Sequence, residues 1–214
     1  MKYVYTLLFL LCGASTFAQA HGTFIEEISN ERSGFVVQVE ADHPDRVYAK
    51  GDLLRVTIES SEDGYLYIFY RDAAGNVTML FPNRFQKRNL IRKNEPVTVP
   101  APGSIFQIKI GAPFGNELVK AVVSKEPLEF FANMDLTGIN VLQIAEEDGK
   151  TLAQSVMAMK QSDWAEHHVD IRTNDFRNGP EDSTIAVVHG QSLKKIPKKP
   201  FLWRIIFRLN CGRN

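Results

Sequence analysis

The sequence predicts a mainly β protein, an antiparallel β-sandwich or partly open barrel with a helical insertion. Three observations predict this class. Short apolar runs, most of them alternating with polar residues, recur at intervals of about 8–12 residues. Glycine, proline, asparagine or aspartate closes each run, as these residues do in turns. After Pro127 the alternation stops, and apolar residues recur with the period of a helix.

The first 20 residues have the organisation of a cleavable secretory signal. A lysine follows the initiator, residues 4–11 form an apolar core, and Ala18-Gln19-Ala20 is a small-x-small cleavage site. The apolar run is shorter than the roughly 20 residues of a membrane-spanning helix. We therefore expect cleavage after Ala20, a secreted or periplasmic protein, and an N-terminal extension at residues 21–33.

The β-domain is predicted to span residues 34–190. Its predicted strands lie at residues 34–40, 54–59, 65–70, 77–81, 97–100, 104–110, 117–124, 168–173 and 184–188. Residues 41–52 are predicted as a loop, and residues 60–64 as the turn of a hairpin. Residues 65–70 contain almost no polar side chain, which predicts a strand covered on both faces.

Aromatic residues on this strand have two interpretations. Tyr65, Tyr67 and Phe69 share one strand face and, with Phe81, are able to form a surface for sugar or peptide. Buried aromatic side chains are more often part of a core, and we favour that interpretation.

Residues 128–161 are predicted to form a helical excursion that is inserted into the sheet domain or lies across it. Two stretches with helical period are separated by the polar, glycine-containing residues 146–149, which we interpret as a break.

Composition excludes some classes of protein. The chain has 214 residues, with 25 basic and 25 acidic side chains, so its net charge gives no reason to expect nucleic-acid binding. This length suits one domain with a full hydrophobic core. Cys12 would leave with the signal, so Cys211 would be the only cysteine of the mature chain and no intramolecular disulfide is possible.

A basic segment at residues 84–94 is the first candidate binding surface. Its cationic residues are Arg84, Lys87, Arg88, Arg92 and Lys93. We predict an exposed loop, which either contacts an anionic polymer such as an envelope polysaccharide or is simply solvated.

The C-terminal tail, residues 191–214, is the second candidate. Its candidate binding residues are Lys194, Lys195, Lys198, Lys199, Trp203, Arg204 and Arg208. As a helix, the second half would carry Arg204 and Arg208 on one side and an apolar face opposite, which suits peripheral contact with an anionic membrane. As a strand, it would pack on the domain or on a partner chain.

A metal site has one candidate residue. Cleavage would make His21 the N-terminal residue, whose amine and imidazole together are able to chelate copper with a second histidine. That second ligand would be His43, His167, His168 or His189, although adjacent histidines on a strand point to opposite faces. The alternative is that the cleavage site happens to precede a histidine that binds no metal. The sequence contains no nucleophile elbow and no phosphate-binding glycine loop, so it assigns no catalytic residue and no cofactor.

Five motifs occur in order between residues 48 and 127: Tyr48-x-x-Gly-Asp, Asp63-Gly-Tyr-Leu-Tyr, Leu80-Phe-Pro-Asn, Val97-x-Val-Pro and a Phe114-Gly turn. Together they resemble a bacterial family known as domain of unknown function 4384. The Trp-Ala-Glu at residues 164–166 is similar to a later element of that family, so the resemblance covers roughly residues 35–175. It implies a β-fold and an accessory, non-catalytic role, since members occur beside caspase-like peptidase or kinase domains.

These observations predict a secreted, non-enzymatic β-domain that acts as an accessory binding or interaction module for a cell-envelope component or a protein partner. Two alternatives stay open. One is a small secreted copper enzyme that uses His21, and the other is a purely structural domain.

Overall fold

The structure, a computed structural model of the chain, describes residues 23–132, 134 and 141–175. Within these residues the helices are α1 (Phe24–Glu27) and α2 (Glu146–Met157), and short 3-10 turns lie at Glu129–Phe131 and Gln161–Asp163. The strands are β1 (Val37–Ala41), β2 (Val47–Ala49), β3 (Leu53–Leu54), β4 (Val56–Ser60), β5 (Gly64–Arg71), β6 (Val77–Phe81), β7 (Leu90–Ile91), β8 (Val97–Val99), β9 (Ile108–Lys109), β10 (Asn116–Ser124), β11 (Leu142–Ile144) and β12 (Trp164–Asn174).

The strands form one large sheet and two small ones. The large sheet has the order β11-β6-β5-β10-β12-β2, and β7 pairs with the start of β5. A three-stranded sheet has the order β1-β4-β8, and β3 pairs with β9. Every pairing is antiparallel except that of β12 with β2. The predicted class is confirmed: the fold is mainly β, with antiparallel sheets, no closed barrel in the described ranges and a small helical part.

One hydrophobic core lies between the large sheet and the smaller sheets. It contains inward-facing residues of β1 and β4, such as Val39 and Ile58, and residues from one face of the large sheet, such as Ile68 and Val119. Val37 and Val39 are buried while Gln38 and Glu40 are exposed, so β1 has the strict alternation of a strand with one face in water.

A second core covers the other face of the large sheet. Tyr67 and Phe69 of β5 and Val122 of β10 pack there against α1, α2 and the turn Glu129–Phe131. Because the large sheet is covered on both sides, the sequence of β5 is a nearly continuous run of apolar residues. The predictions that this strand is covered on both faces and that its aromatic residues belong to the core are confirmed, with Leu66 and Ile68 facing the first core.

The N-terminal residues of the described chain are part of this second core. Phe24, Ile25 and Ile28 are buried, and the Lys120 ammonium group donates to the Ile28 carbonyl at 2.5 Å. The Phe24 ring lies against Gly149 of α2, at the place that a β-carbon would occupy. Residues 23–28 are therefore held to the sheet and to α2 by packing and by a buried hydrogen bond.

The hairpin predicted at residues 60–64 is wrong, because β4 and β5 belong to different sheets. The Ser60 carbonyl accepts the N–H of Asn94 at 2.7 Å, and the Asp63 carboxylate accepts the N–H of Lys93 at 2.8 Å. Residues 60–63 thus form hydrogen bonds with the turn that follows β7. The chain crosses here from the three-stranded sheet to the large sheet, and β5 does not pair with β4.

Two predicted loops contain strands. Residues 41–52 include β2, which pairs in parallel with the end of β12, and residues 84–94 include β7, whose Ile91 is buried. Two- and three-residue strands are too short to show alternation, so only the turn residues around them are visible in the sequence. Of the strand predicted at 104–110, only Ile108–Lys109 is a strand, β9, which pairs with the equally short β3.

The helical excursion is only partly helical. The stretch around Leu142 forms β11, which pairs with Thr78 and its neighbours in β6. Residues 146–149, interpreted as a break, instead begin α2, where three consecutive acids favour the helix N-terminus. Gly149 lies inside that helix because Phe24 packs against its α-carbon, so its role is close packing and not chain reversal.

Other predictions fall on residues outside the described ranges. These are the signal at residues 1–20, the last strand at 184–188, the tail at 191–214 and Cys211. Among the residues that the structure describes, no helix is long and apolar enough to cross a membrane.

Candidate functional site

A shallow cavity of about 140 Å³ lies at one end of the large sheet. Three separate segments converge on it: the start of β5, the residues after β6, and the residues after β10. The cavity is lined by Tyr67, Pro82, Asn83, Lys87, Asn89, Pro127, Leu128, Phe131 and Ala132. The antiparallel register brings these segments together, because it pairs Tyr65 with Ser124 and Ile68 with Phe81.

Asn83 builds the turn beside the cavity. Its side-chain N–H donates to the Leu80 carbonyl at 2.7 Å, and its side-chain oxygen accepts the backbone N–H groups of Phe85 and Gln86, each at 2.9 Å. Such bonds from an asparagine to the residues two and three positions later stabilise a tight turn. The Asn83 amide is thus committed to the fold, and Arg84 is placed within the turn.

Tyr67 brings a hydroxyl group to the cavity wall. The side chain is only 3% exposed, and its ring stacks on Phe131 with a centroid distance of 5.3 Å. The hydroxyl oxygen accepts the Leu128 N–H at 3.1 Å. Burial raises the pKa of Tyr67, and the hydrogen bonds from Leu128 and Asn89 oppose the rise. The phenol is therefore neutral and keeps its own proton for donation.

The five cationic residues predicted from the sequence separate into two groups. Arg92 and Lys93 pair with the carboxylates of Asp63 and Glu62 at 2.8 and 3.0 Å. The Lys93 backbone N–H and the Arg92 guanidinium hold the pKa of Asp63 below its usual range. These two cations are therefore engaged with the turn that precedes β5.

The other three cations are Arg84, Lys87 and Arg88, and we call them the basic surface. All three are exposed, and none forms an ion pair with a carboxylate among the described residues. Lys87 lines the cavity, and the Arg84 guanidinium lies 4.6 Å from the ring centre of Phe85. The Phe85 ring in turn stacks on Phe106 at 5.6 Å, so the base of this segment is fixed to the first core.

The remaining predicted site residues lie outside the described ranges. They are His21 and the tail residues Lys194, Lys195, Lys198, Lys199, Trp203, Arg204 and Arg208. Their roles in metal binding and in membrane or partner contact stay predictions.

Two of the three histidines within the described ranges, His43 and His167, have their Nδ1 atoms engaged. His43 Nδ1 lies 2.9 Å from the Val47 carbonyl, and His167 Nδ1 accepts the Val39 N–H at 3.2 Å. In residues 23–132, 134 and 141–175, no three His, Cys, Asp or Glu side chains are close enough together to hold a metal ion. The copper hypothesis thus still depends on His21 and stays a prediction.

Two buried ionisable clusters lie elsewhere in the large sheet. Glu117 is 1% exposed and accepts hydrogen bonds from Tyr70 and, at 2.9 Å, from Thr173, and burial raises its pKa. Lys120 is 3% exposed and lies 3.5 Å from Glu166, and burial lowers its pKa. Both clusters connect strands or segments inside the protein and are too enclosed for a substrate, so we assign them to stability.

The cavity itself was not predicted from the sequence, although a signal for it existed. Tyr67, Pro82 and Asn83 belong to two of the short motifs, and Pro127 ends the region that contains all five. The sequence alone does not show the register of the strands. The register is what places these motifs together at one end of the large sheet.

Comparison with known families finds one match in this region. The family model described as Domain of unknown function (DUF4384) matches residues 47–127. This confirms the resemblance, over a span narrower than residues 35–175, and residues 164–166 lie outside it. No curated protein and no solved structure matches the chain. The matched span includes β2 to β10, and with them the basic surface and most of the cavity.

Proposed function

We propose that this protein is a non-enzymatic accessory module that binds an anionic component of the cell envelope through the basic surface and the cavity beside it. The observation that supports the proposal is the separation of the cations. Arg92 and Lys93 are neutralised by neighbouring carboxylates, whereas Arg84, Lys87 and Arg88 are exposed next to a partly apolar cavity. Exposed cations without local partners attract and hold polyanions.

The fixed base of the basic surface also supports a binding role. Asn83 and the stacked Phe85 and Phe106 rings hold the turn in place, so the cations are presented on an ordered scaffold. Binding to an ordered surface costs less conformational entropy than binding to a mobile loop. A secreted or periplasmic location, inferred from the signal at residues 1–20, is part of this proposal.

The test is co-sedimentation of the full chain with envelope fragments from the producing bacterium. The variant Arg84→Gln/Lys87→Gln removes two cations that have no carboxylate partner. The control Glu62→Gln/Asp63→Asn/Arg92→Gln/Lys93→Gln removes the two ion pairs and leaves the net charge unchanged. A cation near an anionic surface contributes about 1 kcal/mol, so we expect the first variant to bind roughly 10- to 30-fold more weakly. The second should change binding by about twofold or less, since each cation is removed together with its carboxylate and the local net charge stays the same.

Equal losses in both variants, or no binding by the unaltered chain, would contradict the proposal. Treating the fragments with protease separates two kinds of partner. Binding that survives the treatment and weakens with salt identifies a polymer. Binding that disappears identifies a protein partner instead and overturns the polymer proposal.

A further inference from the structure

We infer that the cavity binds one carboxylated sugar ring, a hexuronate unit of an anionic polysaccharide, with the carboxylate at Lys87. This inference rests on the proposed function and adds the chemical class of its ligand. It depends on three properties of the cavity: its size, the hydrogen-bonding groups that remain available in it, and its apolar walls.

The size of the cavity suits a single ring. Its volume is about 140 Å³. An apolar protein cavity of about 150 Å³ is known to hold a benzene-sized molecule. The six ring atoms of one sugar unit therefore fit the space, with the substituents of the ring at the open side, and a disaccharide or a folded peptide segment does not fit inside it. Because the cavity is open on one side, the neighbouring units of a polymer are able to continue into solvent along the basic surface.

Hydrogen-bond donors predominate among the groups left available in the cavity. The Tyr67 oxygen already accepts the Leu128 N–H, which leaves the phenol proton to donate. The Asn89 amide donates to the Tyr67 oxygen and, at 3.4 Å, to the Leu66 carbonyl, so its side-chain oxygen is the group that it leaves available. Lys87 adds three N–H donors and a positive charge at the rim. A ligand with several acceptor oxygens and a negative charge satisfies these groups.

The apolar walls select a ring with C–H groups on its surface. Pro82, Pro127, Leu128 and Phe131 line the cavity and offer no side-chain hydrogen bond. An inorganic anion would pair with Lys87 but leave these walls in contact with water. A simple aromatic carboxylate would cover the walls but leave Tyr67 and Asn89 without new partners, and unpaired buried polar groups reduce affinity. A sugar acid meets both requirements, since it has C–H surfaces, hydroxyl and ring oxygens, and a carboxylate.

The experiment measures binding of the full chain to polygalacturonate, to its fully methyl-esterified form and to dextran sulfate by titration calorimetry. Ala132 is exposed at the cavity, so Ala132→Trp fills the cavity without removing a charge, and Ala132→Ser is the matched control. We expect polygalacturonate affinity to fall at least tenfold on esterification and at least tenfold in Ala132→Trp. Ala132→Ser should bind like the unaltered chain, and dextran sulfate binding should be the same in all three proteins.

Each contrary result separates the inference from the function on which it rests. If Ala132→Trp keeps its fold and binds polygalacturonate as tightly as the unaltered chain, the cavity does not hold the sugar, while envelope binding through the basic surface stands. Binding to envelope fragments and dextran sulfate without binding to polygalacturonate likewise overturns only the inference. If the unaltered chain binds none of these materials, the proposed function fails as well.

Discussion

Replacing Gly149 by alanine tests the contact that fixes the N-terminal residues to α2. In an exposed helix interior this substitution stabilises by about 1 kcal/mol. Here two Phe24 ring carbons lie 2.1 Å from the position of the new β-carbon. Carbon atoms in contact normally lie about 3.5–4.0 Å apart, so the ring must move by roughly 1.5 Å or more.

The size of the penalty follows from the burial of Phe24, which is 4% exposed in the second core. Overpacking a well-packed site costs about 1–3 kcal/mol, and complete displacement of a buried phenylalanine costs about 3–5 kcal/mol. The gain in helix propensity offsets part of this packing cost. We therefore expect Gly149→Ala to lower the free energy of unfolding by roughly 1–3 kcal/mol. In the Phe24→Ala background, where the ring is absent, the same substitution should raise it by about 1 kcal/mol.

The assay is a double-mutant cycle in guanidinium chloride, followed by far-ultraviolet circular dichroism. The four proteins are the unaltered chain, the two single variants and the double variant, and the coupling energy is the quantity of interest. The reversal of sign between the two backgrounds is the specific expectation. An equal effect of Gly149→Ala with and without the Phe24 ring would refute the reasoning, because it would show that the ring does not occupy this position.

Two further predictions concern ionisable groups of β10 and β12, the buried Lys120 and the partly exposed His167. Lys120→Met should lower the free energy of unfolding by about 3 kcal/mol, measured by denaturant unfolding, because it leaves Glu166 and the Ile28 carbonyl without their buried cation. The stability of the unaltered chain should fall as the pH drops below the ordinary histidine pKa of 6.5, because partial desolvation and the charge of His168 lower the pKa of His167 in the folded state. His167→Gln, which has no titrating ring, should flatten this part of the stability curve.

The sign of the pH effect follows from proton binding. The unfolded chain takes up the proton of His167 first, so stability falls as the pH drops below the unfolded pKa and stops falling below the folded pKa. Protonation also removes the lone pair of Nδ1 that accepts the Val39 N–H. His168→Gln removes only the smaller of the two causes, so this variant should keep most of the pH dependence. Parallel curves for His167→Gln and the unaltered chain would contradict the assignment. For the lysine, Lys120→Met/Glu166→Gln should recover part of the loss, since no unpaired charge is left.

The sequence predicted those elements whose pattern is long enough to be distinctive. The sequence predicts β5 as a doubly covered strand because residues 65–70 contain almost no polar side chain, and β1 because its apolar and polar residues alternate. The composition of residues 72–76 likewise favours the hairpin that joins β5 to β6, since Asp72, Gly75 and Asn76 are typical turn residues. In each case local chemistry and tertiary packing favour the same structure.

The errors arose where tertiary contacts decide the outcome. Residues 60–64 have the composition of a hairpin turn, but their hydrogen bonds are made to residues 92–94, which are distant in sequence. Gly149 has the usual character of a helix breaker, yet its place is set by the ring of Phe24, more than 120 residues earlier. A single sequence shows which residues favour turns, but it does not show which partner a turn will find.

The candidate site shows the same division. The sequence identified five cations within residues 84–94, and the structure places all five on the surface. It did not show that Arg92 and Lys93 pair with the turn before β5, because those carboxylates lie about 30 positions earlier in the chain. Nor did it show that Lys87 meets Tyr67 and Pro127 at one cavity, since that meeting depends on the register of β5 with β10.

The layered architecture restricts where the described part of the chain is able to bind a ligand. One face of the large sheet is covered by the small sheets, and the other by α1, α2 and the residues after β10, so neither face is open. Recognition must then use the ends of the strands and the loops. At one end, Tyr70, Glu117 and Thr173 form a closed network whose hydrogen bonds are made within the protein. At the other end lie the cavity and the basic surface, where donors and cations remain available. The second end of the large sheet is therefore the best candidate for ligand binding, because positive charge and an apolar recess occur there together.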